Sequence, residues 1–129
     1  STPGLKIGLF CSTPMVPLSS VIGRRRALDM LLTARFISAD EAERFGLLNK
    51  VVESGKLDEE TEKLANEIAK FSRFTLELGK KAFYKQVDQD EASAYDYAKE
   101  VIAKNCLDYD AQEGMKSFLE KRKPKWKER

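Results

Sequence analysis

Two clusters of carboxylates are the first groups in this chain that could carry out acid–base chemistry. They lie at residues 58–60 (Asp-Glu-Glu) and at residues 88–91 (Asp-Gln-Asp-Glu). Neighbouring carboxylates can serve as general acid and general base when their environments push their pKa values apart. Both clusters also stand where the sequence predicts the start of a helix, and the helix dipole favours acidic residues there. We therefore predict no catalytic role for either cluster.

Cys11 is a second candidate, because a stabilised thiolate can act as a nucleophile. Free cysteine is more commonly a small buried apolar residue, and we favour that interpretation. The chain contains no histidine, so Ser/His/Asp and Cys/His machinery cannot be built from this chain alone. Cys11 and Cys106 match no metal-ligand spacing and are typical of a reducing compartment. The sequence predicts no metal site.

Positive charge is concentrated in two places. Residues 24–26 are three consecutive arginines, which we interpret as the solvated start of a helix, with phosphate binding as the alternative. Residues 116–129 hold seven Lys or Arg against two Glu. The whole chain carries 23 basic and 21 acidic residues, and this near balance gives no general case for a nucleic-acid partner. Only the basic tail and Trp126 would support a nucleic-acid-binding helical domain.

The length of 129 residues is enough to bury one modest core. No apolar run is long enough to cross a membrane, and no basic-plus-apolar leader is visible. We therefore expect neither a membrane span nor a secretory signal. Repeats and low-complexity tracts are absent from the sequence.

The elements that would position these groups are marked most clearly in residues 31–52. Ser38 is a good N-cap, and Glu41 three residues later completes the pattern of a capping box. Gly46 stands where a helix needs a left-handed residue at its end. The apolar residues 47–52 that follow predict a short buried strand.

Elsewhere, the alternation of Leu5, Ile7 and Leu9 predicts an extended segment, and residues 11–17 read as a proline-containing loop. Helices are predicted from about Pro17 to Ile22 and from Arg24 to Leu32. The second helix should bury one face, formed by Ala27, Leu28, Leu31 and Leu32.

The remaining sequence predicts further helices. One opens at Leu57, one follows a cap at Ser72, and one ends near Asn105. The last is predicted to be capped by Asp110 and stopped by Pro124. Its inward-facing residues should be Met115, Phe118 and Leu119.

Three segments together resemble the enoyl-CoA hydratase/isomerase (crotonase) superfamily. The central one combines Ile-Ser-Ala-Asp-Glu-Ala at residues 37–42 with Gly-Leu-Leu-Asn-Lys-Val-Val at residues 46–52. The outer two are Pro-Gly-Leu-Lys-Ile-Gly-Leu at residues 3–9 and Glu-Gly-Met-Lys-Ser-Phe-Leu-Glu-Lys-Arg-Lys at residues 113–123. Within the superfamily, residues 8–14 resemble one subgroup in particular.

The resemblance implies an α/β crotonase (ClpP/crotonase-like) fold, with this chain as its C-terminal portion, mostly helical with one or two short strands. Residues 1–52 would form the end of the crotonase core, comprising a strand, an acyl-pocket loop and helices. Residues 53–129 would form the helical trimerisation and CoA-contacting region. The resemblance also implies a homo-oligomer, either a trimer or a hexamer built as a dimer of trimers. The expected location is mitochondrial in a eukaryote and cytoplasmic in a bacterium.

By resemblance, the expected ligand or substrate is a coenzyme A thioester, with no prosthetic group. Phe118 and Lys121 match positions that contact coenzyme A in the family. A core position for Phe118 and a solvated basic tail for Lys121 are the alternatives. The loop that lines the family's acyl pocket is represented here by Cys11, Thr13, Met15 and Val16, for which purely local packing is the alternative.

The most informative departure from the family is at Gly4. A crotonase hydratase holds the thioester oxygen with two backbone N–H groups and handles protons with two glutamates. The second glutamate follows a proline that aligns with Pro3, so its position falls on Gly4, which cannot transfer a proton. We expect no two-glutamate hydration and predict no catalytic residue in this chain.

The family's enzymes are enoyl-CoA hydratases, which are lyases, or isomerases. We expect this chain alone to be inactive, and its resemblance to them leaves open whether the protein is an enzyme. The leading hypothesis is an enoyl-CoA hydratase-like, acyl-CoA-binding protein. The alternative is a non-catalytic acyl-CoA-binding, regulatory or oligomerisation module.

Overall fold

The computed structural model describes residues 1–127. Within them, a 3₁₀ helix at Pro3–Ile7 precedes seven α-helices, and no strand is formed. The helices are α1 (Ser12–Ile22), α2 (Arg24–Thr33), α3 (Ala39–Phe45), α4 (Leu57–Ala69), α5 (Arg73–Gln86), α6 (Glu91–Cys106) and α7 (Tyr109–Leu119). The mostly helical prediction is confirmed, and the predicted short strands are wrong. The chain divides into two compact units, of which the first is Ser1–Leu57 and the second begins at Asp58.

The core of the first unit lies between α1 and α2. Its buried members are Leu18, Ile22, Ala27, Met30 and Leu31. Residues 27, 30 and 31 of α2 follow one another at helical spacing and form its inner face. The sequence also placed Leu28 and Leu32 on this face, but they are 51% and 57% exposed. The buried face of α2 is therefore rotated by part of a turn from the predicted one.

The first predicted strand is replaced by the 3₁₀ helix. Pro3 suits the first helical position, where no backbone N–H is needed. Gly8 ends the element with φ 75° and donates its N–H to the carbonyl of Leu5 at 3.2 Å. Leu5, Ile7 and Leu9 all remain exposed, so the alternation that predicted a strand does not bury a face.

The predicted loop at residues 11–17 is also wrong, because α1 already begins at Ser12. Pro14 falls in the first turn, where the backbone N–H groups have no partner within the helix and a proline removes no hydrogen bond. Pro17, the predicted helix start, lies inside α1.

The helix signals of the central stretch are confirmed. Ser38 caps α3 by accepting the N–H of Glu41 at 3.1 Å, and Gly46 ends the helix with φ 82°. The predicted strand that follows is absent. Instead, Val51 donates its N–H to the carboxylate of Glu43 at 2.9 Å, so a side chain satisfies a group that a neighbouring strand would otherwise bind.

In the second unit, α5 packs against α6, and both helices contact α7. Ser72 caps α5 as predicted, and α6 ends at Cys106, close to its predicted end. The predicted cap of α7 is wrong by two residues, because the N-cap is Asp108, which accepts the N–H of Asp110 at 3.0 Å. Asp110 itself lies inside the helix and is buried.

The expected inner face of α7 is wrong as well. Met115, Phe118 and Leu119 are 49%, 82% and 80% exposed. The helix ends at Leu119, before Pro124 is reached. Apolar spacing therefore predicted a buried face that is exposed in the part of the chain that the structure describes.

Candidate functional site

The C-terminal end of α7 and the residues after it carry the two predicted coenzyme A contacts, Phe118 and Lys121. The face of α7 formed by Asp110, Glu113 and Gly114 binds the chain that follows the helix. We call residues 120–127 the C-terminal segment. Three separate attachments hold this segment on α7.

Asp110 is the first attachment. It is 1% exposed, and its carboxylate accepts the Ser72 hydroxyl at 2.5 Å and the backbone N–H of Lys127 at 2.7 Å. Ser72 in turn accepts the N–H of Thr75 as the cap of α5. The buried carboxyl group is thereby hydrogen-bonded to two parts of the second unit, as burial of a polar group requires.

Glu113 is the second attachment. Its oxygens accept Nη1 and Nη2 of Arg122 at 2.6 and 2.9 Å and the backbone N–H of Lys125 at 2.8 Å. The Arg122 guanidinium, followed by the Lys125 N–H, lowers the pKa of Glu113 to about 2. The same pair raises the pKa of Arg122, whose Nε also binds Glu120 at 2.6 Å.

Trp126 is the third attachment. Its indole Nε1 donates to the carbonyl of Lys70 at 2.7 Å. Its ring lies against Gly114, where an added β-carbon would stand 3.4 Å from the ring. The sequence predicted no structural role for Trp126, because its contacts with Gly114 and Lys70 join residues far apart along the chain.

Lys121 lies between the end of α7 and these attachments. Its φ is +53°, in the left-handed region. Its N–H donates to Phe118 O at 3.2 Å, and the next N–H, of Arg122, donates to Ser117 O at 3.0 Å. This is the Schellman pattern, in which glycine usually occupies the left-handed position. Within residues 1–127 the Lys121 ammonium has no carboxylate partner and is exposed.

Phe118 is 82% exposed. Within residues 1–127 Phe118 is therefore not a core residue, and its ring is accessible to contacts from outside the chain. Phe118 and Lys121 stand three residues apart at one helix end, joined by the backbone hydrogen bond from Lys121 to Phe118.

The predicted acyl-pocket residues lie in and beside α1. Cys11 is half-buried, packs against the first-unit core and accepts the N–H of Gly4 at 3.3 Å through its Sγ. Thr13, Met15 and Val16 are exposed, Val16 at 66%. Cys11 therefore packs locally, and a substrate role for all four residues stays a prediction.

Gly4 is closely surrounded. A β-carbon built on it would lie 2.6 Å from the carbonyl oxygen of Leu9 and 2.8 Å from the Sγ of Cys11. Side-chain atoms do not approach backbone this closely. The backbone around Gly4 is therefore packed for glycine.

The arginines at residues 24–26 border a surface depression of about 560 Å³. Arg26 stacks on the Phe45 ring, 4.7 Å from its centroid, and donates to the Phe45 carbonyl at 3.4 Å. Arg35 binds Asp29 at the rim of the depression and also Glu41. The hydrogen bond from Arg35 lowers the pKa of Glu41 most, and the Ser38 N–H adds to this effect as a capping box would.

A second depression was not predicted. It is an apolar groove of about 340 Å³ between α5 and α6, lined in part by Leu78, Ala82, Phe83 and Ile102. The Nδ2 of Asn105, also in its lining, is buried and finds no hydrogen-bond partner among residues 1–127.

The carboxylate clusters are explained by helix starts. Residues 58–60 occupy the first turn of α4, and Asp90 caps α6 by accepting the N–H of Ser93. Among residues 1–127, no three His, Cys, Asp or Glu side chains are grouped so that they could hold a metal ion. No helix in the same part of the chain is both long and apolar enough to cross a membrane.

Comparison with known proteins gives a consistent picture. The sequence profile of the family described as enoyl-CoA hydratase/isomerase matches residues 1–129. The mitochondrial enoyl-CoA hydratase domain-containing protein 3 of Homo sapiens is 48% identical over 126 residues, which are 98% of this chain and 42% of that protein. The protein of the same name from Rattus norvegicus is 47% identical over the same shares.

Solved structures agree. The crystal structure of an enoyl-CoA hydratase from Mycobacterium smegmatis matches with a TM-score of 0.94 and 44% identity, over 98% of this chain and 49% of that one. Human enoyl-CoA hydratase domain-containing protein 3 matches with a TM-score of 0.92 and 48% identity, over 98% and 50%. The chain spans less than half the length of the curated relatives it matches. The resemblance of residues 8–14 was to the subgroup that bears this name, and it is confirmed.

Proposed function

The chain belongs to the enoyl-CoA hydratase/isomerase family, and from this premise we propose that it is the acyl-coenzyme A-binding C-terminal part of a crotonase-fold protein that does not hydrate by the two-glutamate route. Its ligand is a coenzyme A thioester. Phe118 contacts the adenine or acyl portion, and Lys121 contacts the ribose phosphate.

The observation that carries the absence of hydration is the packing around Gly4. Glycine supplies no carboxylate there, and the positions of Leu9 O and Cys11 Sγ leave no space for one. Paired acid–base chemistry needs two groups that exchange protons with the reacting water and substrate. With one of them missing, the thioester is bound without being hydrated.

The binding part of the proposal is supported by the end of α7. An exposed aromatic ring offers apolar contact, and an exposed ammonium three residues later offers a point charge for a phosphate. Phe118 lies on α7, and Lys121 belongs to the C-terminal segment that Asp110, Glu113 and Trp126 fix on that helix. A ligand therefore meets an ordered surface and loses less entropy on binding.

We further propose that the second unit assembles with copies of itself, as a trimer or as a dimer of trimers. Large apolar side chains on α4, just after it and on α7 are exposed, among them Leu64 at 58%, Phe71 at 61% and Leu119 at 80%. Exposed apolar area of this kind marks protein interfaces. If the protein is eukaryotic, we place it in the mitochondrion, because the relatives named above are mitochondrial proteins.

The test uses the protein expressed at its full natural length. We expect calorimetric titration to show coenzyme A binding, and we expect no hydration of crotonyl-CoA that rises with protein concentration. A turnover rate that survives purification and follows protein concentration would overturn the absence of hydration. Failure to bind coenzyme A or an acyl-CoA, with assembly intact, would favour a pure oligomerisation module instead.

A further inference from the structure

We propose that Glu113 is a positioning residue for coenzyme A, and that it fixes Lys121 toward the ribose phosphate by holding Arg122 and Lys125. This inference rests on the proposed function, because it concerns the same ligand. It adds a residue that does not touch the ligand but decides whether the phosphate is recognised.

The first step is the conformation of Lys121. A residue with a side chain is strained in the left-handed region, and glycine would avoid that strain. Lys121 nevertheless occupies the left-handed position of the Schellman pattern with φ +53°. Within residues 1–127 its side chain makes no ion pair that would explain a lysine at this point. The proposed phosphate contact would give the side chain a role at this position.

The second step is what maintains that conformation. The N–H groups of Lys121 and Arg122 are bound by carbonyls of α7. Beyond them, the Glu113 carboxylate accepts both Arg122 Nη atoms and the Lys125 N–H. The Glu113 side chain is only 10% exposed, against 36% for Arg122. Lys121 is therefore bounded by the helix end on one side and by the Glu113 contacts on the other.

The third step is geometric. The two parallel bonds between a carboxylate and a guanidinium define a plane as well as a distance. Because Arg122 directly follows Lys121, fixing the Arg122 fork and the Lys125 backbone limits the directions in which the Lys121 side chain can leave the backbone. Without Glu113, the segment keeps its Asp110 and Trp126 attachments at residues 127 and 126. The stretch around Lys121 then loses the attachment nearest to it in sequence, which Glu113 makes through Arg122 and Lys125.

The experiment compares the dissociation constants of coenzyme A and dephospho-coenzyme A, measured by calorimetry on the full-length protein. We expect the unmutated protein to prefer coenzyme A by about tenfold, the size of one charge-assisted contact. Lys121→Ala should abolish this preference. Glu113→Gln should reduce it to about threefold or less, with binding of dephospho-coenzyme A changed by no more than about twofold.

Two further variants serve as controls. Glu77→Gln removes a carboxylate from the exposed pair with Lys81 and should leave the preference unchanged. Arg122→Lys keeps the charge but loses the planar fork, so it should weaken the preference as Glu113→Gln does. It decides the question if Glu113→Gln does not fold.

The outcomes separate the two proposals. If the unmutated protein binds neither ligand, the proposed function fails and this inference with it. If it prefers coenzyme A, and Lys121→Ala loses that preference while Glu113→Gln and Arg122→Lys keep it, the proposed function stands and the positioning role of Glu113 is wrong. A lower melting temperature in Glu113→Gln with an unchanged preference would show that Glu113 only stabilises the fold.

Discussion

The α-carbon of Gly4 stands so close to Leu9 that a β-carbon on it would lie 2.6 Å from the Leu9 carbonyl oxygen. The same turn is closed by the N–H of Leu9, which donates to the Gly4 carbonyl at 3.0 Å. The tightness therefore comes from backbone, which cannot move aside as a flexible side chain can. Gly4 is therefore a structural glycine in this protein, at the position where the resemblance predicts the family's second glutamate.

Gly4→Ala should accordingly destabilise the protein by about 1–3 kcal/mol, the usual cost of forcing an extra carbon into a packed site. Thermal unfolding followed by circular dichroism measures this. Gly79→Ala is the matched control, because Gly79 lies inside α5 with nothing within 4 Å of an added β-carbon. It should stabilise by about 1 kcal/mol. Equal stability of Gly4→Ala and the unmutated protein would show that the turn adapts.

Ser72→Ala tests the link between α5 and α7. The hydroxyl caps α5 and also donates to the buried Asp110. Its removal costs a cap and leaves Asp110 with one hydrogen bond fewer, so we expect a loss of about 2–3 kcal/mol in the free energy of unfolding. Ser20→Ala removes an exposed hydroxyl bonded to Pro17 O and should change stability by no more than about 0.5 kcal/mol. Similar values for the two variants would contradict the role given to the Ser72–Asp110 bond.

Local signals were sufficient for most of the helices. Ser38, Ser72 and Gly46 act through hydrogen bonds and φ angles within a few residues of themselves, so the sequence contains all that is needed to predict them. The strands failed for the opposite reason. A strand exists only when another strand pairs with it, and residues 47–52 meet no such partner in the part of the chain that the structure describes.

The site was predictable only in part. Phe118 and Lys121 came from a motif, which carries no information on exposure or φ. The roles of Asp110 and Trp126 depend on contacts with Ser72 and Lys70, which are 38 and 56 residues away along the chain. Periodicity within α7 could not reveal contacts at such separations, and it assigned Asp110 to a cap instead.

Acid should weaken the attachment of the C-terminal segment. The pKa of Glu113 is lowered from 4.5 to about 2, mainly by its hydrogen bonds from Arg122. A carboxylate with a lowered pKa stabilises the folded state above its ordinary pKa, and this contribution is lost as the pH falls from about 4.5 toward 2. The melting temperature of the unmutated protein should exceed that of Glu113→Gln at pH 6, and the gap should close by about pH 2.

Glu77→Gln supplies the contrast for that experiment. Lys81 also lowers the pKa of Glu77, but both side chains are exposed, at 58% and 73%. Salt screens exposed pairs, so any effect of Glu77→Gln should shrink in about 0.5 M salt. If the difference in melting temperature between the unmutated protein and Glu113→Gln did not change with pH, the Glu113 carboxylate would not be the group that titrates.

The exposed apolar residues of α4 should drive association. Leu64 and Ile68 are 58% and 47% exposed and lie four residues apart on one helix face. We expect oligomers at tens of micromolar by light scattering, with trimers favoured by the family. The double variant Leu64→Ser/Ile68→Ser should shift the population toward the monomer. A compact monomer of the unmutated protein at these concentrations would count against the assembly proposal.

Phe118 and Lys121 should be separable by stability and by salt. Because Phe118 is 82% exposed, Phe118→Ala opens no cavity in this chain and should change its free energy of unfolding by no more than about 0.5 kcal/mol, whereas a core phenylalanine would cost about 3–5 kcal/mol. Loss of the Phe118 ring should weaken coenzyme A binding equally at about 0.05 and 0.5 M salt.

Lys121→Ala should cost about 1–3 kcal/mol of binding at the lower salt concentration and clearly less at the higher, because an exposed charge contact is screened. Calorimetric titration at the two salt concentrations provides both numbers. If Lys121→Ala binds coenzyme A and dephospho-coenzyme A as the unmutated protein does, then Lys121 does not meet the phosphate and the basic tail is only solvated.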